Sequence, residues 1–153
     1  MSDTRLALAG RHPDPRVDAV VRLYENLAPG DLARLGDVYQ ADAHFKDPFN
    51  QVQGLAAVAR IFGHMFSTLD APRFVVLTQV ASGDDAFLTW DFSFSTRGAG
   101  ARKITIHGAS HLHFGADGRV QSHRDYWDAA EELYEKLPGV GALMRWLKRR
   151  AAG

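Results

Sequence analysis

The sequence predicts one α+β domain in which helices of the first half pack on an antiparallel sheet formed by the second half. Before Pro72, apolar residues recur at helical spacing, and after it they alternate with polar residues. Short glycine-containing turns separate the alternating runs, and such short connections join antiparallel neighbours. A helix laid across a bent sheet of this kind encloses a cone, whose wall is apolar.

The first helix is predicted to start at Pro15, with Asp14 as its cap, and to end before Pro29-Gly30. Its apolar positions have helical spacing and are Val17, Val20, Val21, Tyr24 and Leu27. Asp31 is expected to cap a second, short helix.

The run Ala43–Asp47 is expected to be extended, because the residue before a proline avoids the helical region and Pro48 follows. A third helix opens at Gly54. Its apolar positions form one broad stripe: Val58, Ile61, Phe62, Met65, Phe66 and Leu69.

Four strands are predicted after Pro72. They are Phe74–Val80, Ala86–Ser95, Lys103–Phe114 and Val120–Trp127. A helix over Asp128–Lys136 follows. The last segment is amphipathic, and its apolar and basic residues are Leu143, Trp146 and Leu147 beside Arg145, Lys148, Arg149 and Arg150.

Composition narrows the function. The 153 residues fit a loose lead-in over residues 1–12 and a single domain over 13–150. A formal net charge of zero gives no electrostatic case for nucleic acid, and the absence of cysteine excludes disulfides and thiolate nucleophiles. The apolar runs are too short to span a membrane and no secretory signal is recognised, so we expect a cytoplasmic protein.

The stretch from His123 to Asp128 holds the strongest chemical signal. Side chains alternate along a strand, so His123, Asp125 and Trp127 share one face. An imidazole, a carboxylate and an indole suit a concave site with an apolar wall and a few polar groups. The alternative is a structural network, in which Asp125 pairs with a neighbouring arginine and Trp127 fills the core.

The order of these elements, with Gly30-Asp31-Leu32 and Asp47-Pro48-Phe49, resembles the nuclear transport factor 2-like superfamily, and within it the SnoaL-like and ketosteroid isomerase-like branch. The resemblance covers about residues 14–135. It implies a cone-shaped, curved antiparallel sheet wrapped around the N-terminal helices, with a pocket for a small apolar molecule. It also implies a homodimer that uses no cofactor.

The resemblance also places functional residues. Counted from Gly30, the general base of the isomerases falls on Asp47. Their oxyanion tyrosine falls on Leu23, one position before Tyr24, and their protonated aspartate falls on Ser110. The polyketide cyclases carry an acid/base carboxylate in the region of the last strand, where Asp125 is the candidate.

Two functions stay open at this point. One is a cofactor-independent isomerase or cyclase, with Asp47 as base and Asp125 with His123 as a second acid/base pair. The expected binding wall consists of Tyr24, Phe62, Trp90, Phe92, Ser110 and Trp127. The other is a non-catalytic module that binds a ligand or pairs with another protein, in which Asp47 only closes a turn before Pro48. A dehydratase or hydrolase with water activated by His123 and Asp125 is a third, weaker reading.

Three histidines, His107, His111 and His113, share one face of a predicted strand. Histidines two apart on a strand can bind zinc, but the opposite face of this strand is the apolar one that should line the pocket. We therefore expect them on the outer face, without metal. His44 is expected to be peripheral, and His64 to be a partly exposed residue near the mouth of the cone.

The basic C-terminal segment is expected to pack on the barrel or on a partner subunit rather than on an anionic membrane, because stable anchoring takes a second signal.

Overall fold

The computed structural model describes residues 12–134 and 139–152. The predicted lead-in, apart from its last residue, and the predicted helical residues 135–136 lie outside the described residues. The helices are α1 (Pro15–Glu25), a 3₁₀ helix (Pro29–Asp37), α2 (Leu55–Thr68), α3 (Ala129–Glu132) and α4 (Val140–Ala151). The strands are β1 (Tyr39–Lys46), β2 (Gln51–Gln53), β3 (Asp70–Ser82), β4 (Asp85–Ser95), β5 (Lys103–Phe114) and β6 (Val120–Tyr126).

These strands form one curved sheet in the order β2-β1-β6-β5-β4-β3. All neighbours are antiparallel except β1 and β6, which run parallel. In this pair Phe45 lies opposite His123, and Lys46 lies opposite Arg124. The four predicted strands are confirmed. The extended run before Pro48 belongs to β1, whose parallel pairing with the last strand the sequence did not predict.

Two predicted boundaries were wrong. β3 begins at Asp70, before Pro72 rather than after it. It is an edge strand, where a proline is tolerated because its missing N–H need not join the ladder. The second helix is a 3₁₀ helix that starts at Pro29, so Asp31 lies inside it. The Asp31 carboxylate still accepts the Ala28 N–H at 2.9 Å, which satisfies a free donor at the helix start.

The hydrophobic core lies between the helices and the sheet, and one part of it lies between α1 and the ends of β5 and β6 at their connecting turn. Val17, Val20 and Val21 of α1 are fully buried, as are Leu112 and Val120 on the two sides of that turn. Asp14 accepts the Arg16 N–H at 2.9 Å, which confirms the predicted cap of α1. The opposite ends of β4 and β5 lie under α2, where the core gives way to a cavity.

The outer sheet face carries the three histidines of β5, as predicted. His111 Nε2 and His113 Nδ1 lie 2.8 and 3.1 Å from Asp85 Oδ1, and His107 contacts Asp91. Hydrogen bonds from His111 and His113 hold the pKa of Asp85 below its usual range. Over the described part of the chain, no group of three or more His, Cys, Asp or Glu side chains is arranged to hold a metal ion.

The C-terminal segment does form an amphipathic helix, α4, whose large apolar side chains are not buried on the barrel; the predicted alternative, packing on a partner subunit, stays a prediction. Its large apolar side chains, Val140, Leu143, Trp146 and Leu147, are 44–55% exposed in this chain. Within the described ranges, no helix has the length and apolar character needed to cross a bilayer.

Candidate active site

A cavity of about 600 Å³ lies between α2 and the concave face of the sheet. Its wall is mainly aromatic and aliphatic, and two carboxylates, Asp47 and Asp125, interrupt it. Four of the predicted wall residues line it: Phe62, Trp90, Phe92 and Trp127. An apolar cavity with a few convergent polar groups is the usual form of a small-molecule site.

Asp125 is fixed through one of its two oxygens. Its Oδ1 lies 2.6 Å from His123 Nε2 and accepts a hydrogen bond of 2.5 Å from Ser110 Oγ. The side chain is 16% exposed. No protein group of residues 12–134 and 139–152 hydrogen-bonds Oδ2, so this oxygen is available to a ligand in the cavity.

His123 connects Asp125 to two buried tyrosines. The imidazole is almost inaccessible, and its Nδ1 lies 2.7 Å from the Tyr39 hydroxyl and 3.3 Å from the Tyr24 hydroxyl. The two hydroxyls are 2.5 Å apart. With the Nε2 proton on the Asp125 side, Nδ1 accepts from Tyr39, and Tyr39 accepts from Tyr24. In this arrangement each hydrogen bond of the series from Tyr24 through Tyr39 and His123 donates its proton toward the Asp125 carboxylate.

Burial keeps both of these tyrosines protonated. It raises the pKa of Tyr24 well above its ordinary value, and the neighbouring Tyr39 and Asp125 act in the same direction. Burial likewise raises the pKa of Tyr39, against a smaller, opposite effect of the hydrogen bond with Tyr24. Both hydroxyls therefore keep their protons at neutral pH and act as donors.

A second arm of the network reaches Asp125 from the sheet. Trp90 Nε1 donates to Ser110 Oγ at 2.8 Å, and Ser110 in turn donates to Asp125. Ser110 and Asp125 are direct neighbours across the β5–β6 ladder. By the resemblance, the protonated aspartate of the isomerases falls on Ser110. In this chain the carboxyl group belongs instead to Asp125, directly opposite Ser110 on the neighbouring strand.

Asp47 has different surroundings. Its Oδ1 accepts from the Phe49 N–H at 2.8 Å and the Asn50 N–H at 2.6 Å, and the Asn50 amide reaches both carboxylate oxygens. This is the turn role considered as the alternative for Asp47. The carboxylate nevertheless lines the cavity. Asp47 follows the last paired residue of β1, and Asp125 is the next residue after Arg124 of β6, so the two backbones are adjacent at this rim of the sheet.

The other three predicted residues, Tyr24, Ser110 and His123, do not line the main cavity. They surround a narrow space of about 10 Å³ behind Asp125, which Trp90 and Asp125 also line. His64 is an exposed residue of α2 that lines the cavity. His44 is exposed on β1, as expected.

Sequence reasoning missed Tyr39. It is fully buried and provides the shortest contact to His123 Nδ1. The predicted extended run began only at Ala43. Counting in steps of two from Phe45 through Ala43 leads to Tyr39, but a register irregularity between Tyr39 and His44 interrupts the alternation.

Residues 20–123 match the SnoaL-like domain family. A steroid Δ-isomerase of Nocardioides simplex is 30% identical over 112 residues, which are 71% of this chain and 86% of the relative. A crystal structure described as a SnoaL-like polyketide cyclase from Jannaschia sp. superposes with a TM-score of 0.68 at 16% identity, over 79% of this chain and 92% of that one. The structure of AclR from Streptomyces galilaeus, described as a hydroxylase, superposes with a TM-score of 0.66 at 16% identity, over 84% of this chain and 96% of that one.

The cone of helices on a curved sheet is the ketosteroid isomerase-like, nuclear transport factor 2-like fold. The chain belongs to the SnoaL-like family. The solved structures share the fold with proteins of differing descriptions, so the chemistry has to be argued from the site.

Proposed function

We propose that this chain catalyses a cofactor-independent proton transfer beside a carbonyl group, an isomerisation or a cyclisation, on a small apolar molecule bound in the cone. The observation that carries the proposal is the state of Asp125. One carboxylate oxygen is held by His123 and Ser110, the other has no hydrogen-bond partner among the described residues, and the side chain lines an aromatic cavity of about 600 Å³. A carboxylate with a fixed orientation beside the ligand is what a general base requires.

The proton transfer then runs through a single atom. Asp125 Oδ2 takes a proton from the carbon beside the carbonyl, and the electron pair of the broken C–H bond forms the enolate. The Oδ2–H bond then breaks and the same proton goes to another carbon of the conjugated system, which regenerates the carboxylate. Because His123 and Ser110 bind only Oδ1, neither hydrogen bond has to break during the exchange.

His123, Tyr39 and Tyr24 act behind the carboxylate as positioning residues. The imidazole has bonding partners at both nitrogens and cannot rotate without leaving a buried polar atom unpaired. On the helix side of the cavity, Arg60 can place a positive charge, and His64 a ring N–H donor, near a carbonyl oxygen.

The similarity to the steroid Δ-isomerase supports a polycyclic carbonyl ligand. The assignment of Asp47 as the base stays a prediction. Geometry favours Asp125, because both oxygens of Asp47 already accept hydrogen bonds in its turn, whereas Asp125 keeps Oδ2 without a hydrogen-bond partner among the described residues.

A comparison of Asp125→Asn with Asp47→Asn tests this assignment. With androst-5-ene-3,17-dione as probe, conjugation of the double bond is followed by ultraviolet absorbance. We expect Asp125→Asn to lower kcat on the order of 100-fold or more, and Asp47→Asn to lower it less than about tenfold. Asp37→Asn, at an exposed aspartate of the 3₁₀ helix, is the matched control. The reverse order of the two losses would give the base to Asp47.

The second candidate is a non-catalytic binding module, favoured by the full hydrogen bonding of Asp47. Deuterium uptake beside the carbonyl of a bound ketone, followed by NMR in D₂O, separates the two. A ketone that raises the Tm of wild type but not of Trp127→Ala, and takes up no deuterium, identifies a binding module.

We also propose that the homodimer implied by the resemblance forms through the outer sheet face. Exposed Leu77, Val80 and Phe87 on β3 and β4 support it. Sedimentation of Phe87→Glu against wild type tests it, and an unchanged mass would exclude this face. The cytoplasmic location expected from the sequence stays a prediction.

A further inference from the structure

The helix α4 presents its apolar side to solvent. Val140, Leu143 and Leu147 are 47, 55 and 44% exposed, and Trp146 beside them is 45% exposed. Residues three, four and seven apart share one side of a helix, so the first three form a continuous stripe. A surface helix of a globular domain normally turns such a stripe toward the core.

A polar residue of α4 contacts the rest of the domain. Lys148 Nζ lies 3.8 Å from the Glu131 carboxylate on α3, and this contact lies at an angle of roughly 100° from Leu147 around the helix. The apolar stripe is therefore free to meet another surface.

The charge of α4 indicates which kind of partner surface it can bind. Residues 140–151 include Arg145, Lys148, Arg149 and Arg150 and no aspartate or glutamate, although the whole chain has a formal net charge of zero. The Arg150 guanidinium lies 5.0 Å above the Trp146 ring, so a cation borders the apolar stripe directly. A partner for this helix has to offer apolar surface next to negative charge.

We propose that α4 docks on an anionic lipid surface, with the apolar stripe and Trp146 at the boundary between headgroups and acyl chains and the basic side chains against lipid phosphates. This is the composition of helices that lie in a membrane interface. A second α4 helix fits less well as the partner, because it offers no carboxylate to the four cations that each helix carries. Twelve residues bury little area, so the docking is reversible.

Docking through α4 would bring the lipid surface close to the cavity. The helix α4 contacts α3 through Lys148 and Glu131, and Leu133, just after α3, lines the cavity. The ring centroid of Tyr134 lies 6.4 Å from that of Phe49, which also lines the cavity. A lipid surface held by α4 would therefore lie near the cavity, where an apolar molecule dissolved in the bilayer can enter. The docking itself does not depend on the proposed catalysis.

Flotation with vesicles tests the proposal. The full chain is mixed with vesicles of phosphatidylcholine alone, or of phosphatidylcholine with about one-third phosphatidylglycerol, at low salt. We expect at least about fivefold more protein on the anionic vesicles, and loss of that excess near 0.5 M salt, where the Debye length falls to roughly 4 Å.

Two variants separate the contributions. Leu143→Glu/Leu147→Glu should abolish binding to both kinds of vesicle, and Arg149→Gln/Arg150→Gln should abolish only the preference for anionic lipid. Ala33→Glu, at an exposed alanine of the 3₁₀ helix, and Arg34→Gln on the same helix are the controls. Circular dichroism and Tm verify that each variant is folded.

Equal flotation with both lipids, or wild-type binding by the Leu143→Glu/Leu147→Glu variant, would overturn the proposal. It would also be overturned if wild type did not float and the same variant changed its mass in sedimentation, since another copy of the chain would then cover α4.

Discussion

The imidazole of His123 joins Asp125 to Tyr39: its Nε2 lies 2.6 Å from the carboxylate, and its Nδ1 lies 2.7 Å from the hydroxyl. The three residues come from two parallel strands, and His123 and Tyr39 lie behind Asp125, which lines the cavity. Because the ring is buried and has a partner at each nitrogen, it has one orientation, and it passes that orientation to the carboxylate.

Tyr39→Phe should weaken both stability and turnover. Phenylalanine keeps the ring volume but leaves His123 Nδ1 without its nearest donor, and an unsatisfied buried acceptor costs about 1–3 kcal/mol. We expect the free energy of unfolding to fall by that amount in urea titrations. We also expect kcat to fall about tenfold with little change in KM, because the cavity wall itself is untouched.

Tyr126→Phe is the control, since Tyr126 is half exposed at the end of β6. A Tyr39→Phe variant as stable and active as wild type would show that Tyr24 alone can supply the donor to His123.

The two buried tyrosines should also make the fold sensitive to alkali. Burial raises the pKa of Tyr24 and Tyr39 in the folded state, whereas an unfolded tyrosine ionises near pH 10. The stability linked to each tyrosine is therefore complete below about pH 10 and is lost as the pH rises from there through the folded pKa. We expect the free energy of unfolding to drop by about 1 kcal/mol per pH unit per tyrosine.

Urea titrations between pH 8 and 12, with tyrosinate absorbance, measure this slope. Tyr39→Phe should show about half of it. Ionisation of all four tyrosines of the chain before any loss of structure would contradict the prediction.

The fold was largely predictable from the sequence, whereas the connections of the site were not. The bounds of β5 were predicted to the residue, because Ile104, Ile106 and Leu112 lie an even number of positions apart, and a turn precedes and follows the run. His123 and Asp125 were found because they share a face of one strand. Tyr39 was missed because its contact spans 84 positions and depends on the parallel pairing of β1 with β6.

The bond between Ser110 and Asp125 follows from the register of β5 on β6, with Ser110 directly opposite Asp125. A shift of one residue would have turned one of them to the outer face. Period-two alternation fixes which residues of one strand share a face, but it does not fix which residue of the neighbouring strand lies opposite.

On the outer sheet face, Asp85 should contribute to stability in a way that acid removes. Hydrogen bonds from His111 and His113 lower the pKa of Asp85 in the folded state below its unfolded value near 4. The contribution is therefore present above about pH 4 and is lost as the pH falls through the lower folded pKa. We expect Asp85→Asn to have a lower Tm than wild type at pH 6, with a difference that shrinks as the pH falls below about 4.

Asp42→Asn, at an exposed aspartate of β1, is the control. A Tm difference that does not shrink as the pH falls would mean that Asp85 acts otherwise than through its charge.

Gly108 should be essential for the arm of the network that passes through Trp90. A Cβ at this position would lie 2.4 Å from Trp90 Cη2, closer than any side chain tolerates. The indole cannot move away freely, because its Nε1 is bonded to Ser110 and its ring packs edge-on against Phe74 at 5.6 Å. Gly108→Ala should therefore cost about 1–3 kcal/mol through overpacking, displace the indole from the cavity wall and loosen Asp125 through Ser110.

Gly30→Ala is the matched control, since no atom lies within 4 Å of the Cβ it would add. Urea unfolding measures the first effect and tryptophan fluorescence the second. If Gly108→Ala left both unchanged, the indole would not be locked between Ser110 and Phe74, and the Trp90 arm would have no part in holding the carboxylate.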